Sequence, residues 1–199
     1  MSVPELVLVR HGRSAHVERG WLDVEGVRRW MAAYDAAEIM LHHPPPPELE
    51  ALARDAARVI ASDLPRTVAS AVRLAPGHPV IRAALLREAP LETEAMPLPA
   101  LAGIRLPFRG WGLVFGARWL AAWMRGAPPP GVDAETLARA DEAARWLAGH
   151  VTETGGRVVA VTHATFRLLI AQALARRGWR APERRSFREW SAWRYLPPP

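Results

Sequence analysis

The chain has 199 residues, a formal net charge of +6 and an apolar content of 50%. Those values exclude a disordered or collagen-like chain and suit one domain, spanning 1–199, with an inserted portion. No apolar run reaches the ~18 uncharged residues of a membrane-spanning helix. The N-terminus has no basic stretch followed by a small-residue cleavage site, so a secretory leader is not expected and the cytoplasm is the expected compartment. With no cysteine there is no disulfide framework, thiolate metal site or thiol nucleophile. All 26 basic residues are arginine. This reads as the codon bias of a GC-rich genome, and it removes any Schiff-base or P-loop lysine. The charge alone would suit an anionic partner, but no membrane or nucleic-acid partner is expected.

The elements follow in chain order. Residues 5–9 (ELVLV) are continuously apolar and predict a buried strand. Residues 25–40 place Val27, Trp30, Met31 and Tyr34 at helical spacing. His42 and His43 precede the prolines of 44–47, which read as a rigid loop rather than a metal pair. Residues 58–62 (RVIAS) predict a second strand, after which Asp63 and Pro65 open a helix. A third strand is expected at 79–82. Residues 88–112 are rich in Pro and Gly and predict an irregular excursion, with a helix at 114–124. Asp133 caps a helix that ends near Gly155-Gly156. Residues 157–161 (RVVAV) give the clearest buried strand. The next helix carries Phe166, Leu169, Ile170, Ala173 and Leu174 on one face and stops at Gly178. The arginine-dense stretch 176–188 reads as a helix end and solvated loop, and 186–196 as an edge strand.

Strands alternating with helices imply an α/β fold. The sheet is expected to be central and mostly parallel, with helices on both faces in three layers. Ligands of such sheets lie beyond the carboxyl ends of the strands. Three predicted strands run into Arg10-His11-Gly12-Arg13-Ser14, Asp63-Leu64-Pro65-Arg66-Thr67 and Thr162-His163-Ala164-Thr165. Two arginines and two histidines therefore converge on one edge. Arginine forks grip phosphate oxygens, and a histidine with one unprotonated nitrogen is a nucleophile. Phosphoryl transfer also needs a proton donor for the leaving oxygen, and Glu88 is the best-placed carboxyl, with Glu92 and Glu94 in the same excursion.

These motifs resemble the histidine phosphatase superfamily, the phosphoglycerate-mutase-like proteins. Arg10-His11-Gly12 is similar to that family's RHG signature. The stretch 61–67 resembles its second phosphate-binding segment, Leu86-Arg87-Glu88 its acid/base segment, and Val161-Thr162-His163 its second-histidine segment. The four stand in the family's order across most of the chain. The resemblance implies a phosphoglycerate-mutase-like fold, with 88–130 as an inserted active-site cover. It implies phosphomonoester hydrolysis without metal or other cofactor, through a phosphohistidine on His11. His163 and Glu88 would be the other catalytic residues. Arg10, Arg66, His163 and Ser14 would hold phosphate. The substrate would be a phosphorylated small molecule, with a phosphoprotein as the other class, and an oligomer is compatible with the aromatic C-terminal segment.

The chain departs from the family pattern at Arg13, Val17 and Ala164. The rival readings are a phosphoglycerate-type mutase and a non-catalytic phospho-ligand binder on the same fold. Family mutases usually carry a longer segment between acid and second histidine, which favours the phosphatase. His16, Trp21 and Trp111 are candidate pocket residues, and Arg105, Arg109 and Arg118 are candidates for additional substrate charge.

Overall fold

The computed structural model describes residues 3–17, 20–90, 103–125, 127, 130–181 and 186–199. The first strand, β1 (Glu5–Arg10), takes an interior place next to one edge of a five-stranded sheet. Its neighbours are β6 (Arg157–Thr162) and the edge strand β7 (Ala192–Tyr195). On the other side of β6 lie β3 (Arg58–Ser62) and β4 (Val80–Ala83). β4, β3, β6 and β1 are parallel, and only β7 runs antiparallel to β1.

β1 reads as a continuous apolar run because both its faces are covered. Side chains alternate across a strand. Leu6 and Leu8 therefore pack with α5 (Ala134–Thr154) and α6 (Ala164–Arg176), through Ala144, Leu147, Phe166 and Ile170. Val7 and Val9 pack on the opposite face with α2 (Pro47–Arg54) and α3 (Pro65–Leu74), through Leu49, Ala71 and Leu74. This is the expected three-layer arrangement, and it sets the carboxyl ends of β3, β6 and β1 along one edge. Asp133 caps α5 by accepting from the Thr136 amide at 2.7 Å, and Gly155 ends that helix at φ 59°. No helix among the described residues is long and apolar enough to cross a membrane.

Three parts of the sequence reading are corrected. The proline loop read at 44–47 ends one residue sooner, and residues 48–54, given no element in the sequence reading, form with Pro47 the helix α2, which starts on that proline as prolines favour. The helix α1 (Val24–Ala36) stops short of residue 40. The excursion is ordered earlier than expected: β5 (Leu106–Pro107) pairs with β2 (Trp21–Leu22), and α4 begins at once and runs Phe108–Met124. The pairing partner of β5 lies far back in the chain, so no local pattern announces it. Val24, Val27 and Trp111 form a small separate core that ties α1 to α4.

Candidate active site

The RHG loop leaves β1 held from three sides. The Arg10 amide donates to Ser191 O at 3.0 Å, the His11 amide to Thr162 O at 3.1 Å, and the Gly12 amide to Ser70 Oγ at 2.9 Å. Glycine is required at position 12 by space: an added Cβ would stand 2.4 Å from Cζ2 of Trp190. That indole is fixed by its own bond to His43 O at 3.0 Å, and Trp190 adopts φ 58°.

His11 is 2% exposed, and its Nδ1 lies 2.7 Å from Gly12 O. A carbonyl only accepts, so Nδ1 carries the proton and Nε2 keeps a lone pair. Burial, together with the Arg66, Arg10 and Arg167 cations, lowers the His11 pKa to about 3, against the opposing pull of Gly12 O. The ring is therefore neutral at physiological pH. His163 is fully buried beside it, with ring centroids 5.3 Å apart. Its Nδ1 accepts from Arg66 Nη2 at 3.1 Å, so its proton sits on Nε2, which has no partner among the described residues. Burial first, then the neighbouring His11 and arginines, hold His163 well below the usual histidine range.

Arg66 is 1% exposed and sits in the first turn of α3. Arg10 donates to Phe187 O. Ser14 Oγ accepts the His16 amide at 3.2 Å. Glu88 arrives from the other side. Its Oε1 accepts from the Phe166 amide at 2.8 Å and the Ala89 amide at 3.0 Å. The N-terminus of α6 therefore holds the Glu88 side chain. Burial raises the Glu88 pKa above the usual carboxylate value, opposed by those amides. The backbone ahead of Glu88 is clamped by Arg139, which donates to Leu85 O at 3.2 Å, Arg87 O at 2.8 Å and Glu88 O at 3.2 Å.

Arg10, His11, Ser14, Arg66 and Glu88 line one cavity of about 700 Å³. His163 stands behind His11 rather than on the cavity wall. His16, Val17, Arg13 and Arg109 line the outer wall, with Trp30, Tyr34, Met31, Met40, Phe108 and Glu189. Trp21 and Trp111 do not: Trp21 is exposed on β2, and Trp111 is buried with Nε1 bonded to Leu22 O at 2.8 Å. Arg105 donates to Trp21 O, and neither it nor Arg118 lines the cavity. Glu92 and Glu94 lie outside the described residues, as does much of the expected cover. The rings of His42 and His43 lie 4.5 Å apart at 45° to each other in their loop, and no cluster of three or more metal-ligating side chains occurs among the described residues.

Sequence reasoning missed four residues that build the site. Ser70, Arg139 and Trp190 act through backbone bonds and packing that local patterns do not encode. A fourth, Arg167, is a fully buried arginine that donates to Ser191 O at 2.6 Å and Ser186 O at 2.9 Å. Burial lowers its pKa to about 9, so it stays cationic at neutral pH and adds to the positive field on His11.

No model of a known protein family matches the sequence, and no curated protein matches it. Solved structures do. The phosphoserine phosphatase of Entamoeba histolytica, in complex with 3-phosphoglyceric acid, is similar at a TM-score of 0.53 and 14% identity, over 86% of this chain and 80% of that one. A histidine-to-alanine mutant of the same enzyme, in complex with phosphoserine, gives a TM-score of 0.50 and 15% identity over 86% and 80%. The shared fold is α/β with a mostly parallel central sheet, phosphoglycerate-mutase-like.

Proposed function

We propose that this chain is a phosphatase of the histidine phosphatase superfamily. In this reading it hydrolyses phosphomonoesters through a phosphohistidine on His11, with no metal required. The observation that carries the reading is the protonation pattern at the strand ends. Nδ1 of His11 is held by Gly12 O, which leaves Nε2 as the unprotonated nitrogen, with Arg10 and Arg66 on the same cavity wall. The likeness in fold to a phosphatase whose solved complexes hold phosphoserine and 3-phosphoglyceric acid supports it.

The His11 Nε2 lone pair attacks phosphorus as the P–O ester bond breaks. Arg10 and Arg66 hold the non-bridging oxygens, and His163, behind His11, orients Arg66 through Nδ1, so that the charge developing in transit is met by fixed donors. Ser14 adds its hydroxyl. Glu88, whose pKa burial raises, is the acid in this reading and gives its proton to the leaving oxygen. Water then attacks the phosphohistidine, Glu88 takes the water's proton, and the P–N bond breaks to return neutral His11 and free phosphate. The arginines supply the charge that a metal would otherwise supply.

The cavity is far larger than a phosphoryl group, on the order of twenty waters in volume. Arg13 and Arg109 lie on its outer wall with no ion pair among the described residues. A small phosphorylated molecule carrying a second negative group fits this wall. The residues 88–130 act as the cover within a single domain.

The test is phosphate release from p-nitrophenyl phosphate with chelator present, for wild type and His11→Ala, together with acid quench and detection of a phosphorylated histidine. Chelator-resistant release and a trapped phosphohistidine, both lost in the variant, are expected. Turnover that survives His11→Ala rules the mechanism out. Phosphate binding without turnover identifies a binding module instead.

A further inference from the structure

Two adjacent residues at the C-terminal end of α1 already engage the nucleophile's lone pair and the arginine donors that the proposed phosphate site needs. Tyr34 O–H donates to His11 Nε2 at 3.3 Å, on the lone pair through which attack would proceed. The Arg10 cation stands near enough to that hydroxyl to pull its pKa down against the effect of burial. Asp35 Oδ1 accepts from Arg66 Nη1 at 3.0 Å, and Tyr34 O accepts from the same nitrogen at 3.0 Å. Arg66 Nη2 is committed to His163. Only Arg66 Nε lacks a partner, and it is buried. A hydroxyl capping the His11 lone pair, with a carboxylate on Arg66, stands where a bound phosphoryl group would meet both residues.

We propose that Tyr34 and Asp35 form a latch, an internal substitute for the phosphoryl group that an incoming monoester must displace. The inference rests on the reading of His11, Arg10 and Arg66 as the phosphate site.

The exposures fit a contact made to be broken. Arg66 is 1% exposed and cannot leave, whereas Asp35 is 49% exposed and can turn into water. A half-exposed ion pair holds weakly. Burial raises the Tyr34 pKa, so the hydroxyl remains a donor through the neutral range. The ring itself lies in a column. The Arg66 guanidinium sits 4.3 Å from its centroid, Trp30 stacks on it at 4.9 Å and 19°, and Phe108 packs on Trp30 at 4.0 Å. Trp30 and Tyr34 share a face of α1 one turn apart, and Phe108 opens α4. Withdrawal of Tyr34 is therefore felt at the cover helix. Affinity for any phosphorylated ligand is reduced by the fraction of molecules that are latched.

The experiment measures the Kd of inorganic phosphate by calorimetry at neutral pH for wild type, Tyr34→Phe, Asp35→Asn and Arg66→Ala, with circular-dichroism melts to confirm folding. Removing one competing hydrogen bond should tighten phosphate binding by about three- to tenfold for Tyr34→Phe, and by about two- to fivefold for Asp35→Asn. Weaker binding by Tyr34→Phe would make its hydroxyl a phosphate ligand and overturn the latch. Unchanged affinity in both variants overturns it as well. Arg66→Ala separates the two levels of the argument. It should abolish binding, and binding that persists there overturns the site reading and the latch with it.

Discussion

Gly12→Ala puts one methyl group where the chain has no room. The added Cβ would stand 2.4 Å from Trp190 Cζ2 and 2.6 Å from Cε2. Neither atom is the free end of a flexible side chain. Trp190 is 7% exposed, bonded through Nε1 to His43 O, and set at φ 58°. Overpacking of this kind costs about 1–3 kcal/mol, and in a chain of this length each kcal/mol lowers Tm by about 2–4 °C. A fall of roughly 2–12 °C is expected. Gly12 O also holds the Nδ1 proton of His11, so kcat should fall more than KM changes. Trp190→Phe withdraws the ring and gives up the bond to His43 O, costing about 1 kcal/mol. In that background Gly12→Ala should cost less, with a coupling of about 1 kcal/mol or more. Urea denaturation of the four proteins gives the cycle. A Gly12→Ala variant that melts with wild type, or two substitutions whose costs simply add, would refute the steric account of this glycine.

Burial of neutral His11 makes stability pH-dependent. Its folded pKa of about 3 lies below the unfolded value of 6.5, so between these values the unfolded chain binds the extra proton and stability falls on acidification. The slope is about 1.4 kcal/mol per pH unit, reaching about 5 kcal/mol near the lower limit. Between pH 7 and pH 5, wild type should lose about 2 kcal/mol more than His11→Gln in urea titrations, and parallel losses would count against the buried neutral ring. The raised pKa of Glu88 gives activity the opposite limb, with kcat/KM falling as pH rises and the acid ionises. Glu88→Gln should slow alkyl phosphates by about 10²–10⁴ and aryl phosphates far less; equal slowing removes Glu88 as the acid. Arg139→Met should lower kcat by about tenfold with little change in KM, because three carbonyls lose the clamp that aims Glu88. A shift confined to KM would contradict that positioning role.

The strands that carry the site were legible because each is a short apolar run ending in polar chemistry. Burial on both faces writes that pattern into 5–9, 58–62 and 157–161. The parallel sheet then brought His11, Arg66 and His163 to one edge, as the alternation of elements implied. Glu88 was placed by a weaker signal, since proximity in sequence did not separate it from Glu92 and Glu94. Tyr34 was visible only as an apolar position of an amphipathic helix; nothing in a helical period says that its hydroxyl reaches across to another strand end. Trp190 was equally silent, because its effect is a steric one on a glycine far away in the chain. The two-residue strands β2 and β5 carry no periodicity at all, and α2 was hidden by the prolines ahead of it.

The order in which the sheet is filled has a consequence for synthesis. β1 emerges first, yet its hydrogen-bonded neighbours are β6 and β7, the last two strands of the chain. Until both exist, β1 has two open edges, and Arg10 and His11 lack the Ser191 and Thr162 carbonyls that hold their amides. Closure of such distant pairings is slow and comes late. A nascent chain on the ribosome therefore carries Arg10 and His11 before the strands that fix their amides, and the candidate site is completed only when residues 186–195 arrive. Until then the two open edges are also where a stalled chain would pair with the wrong strand.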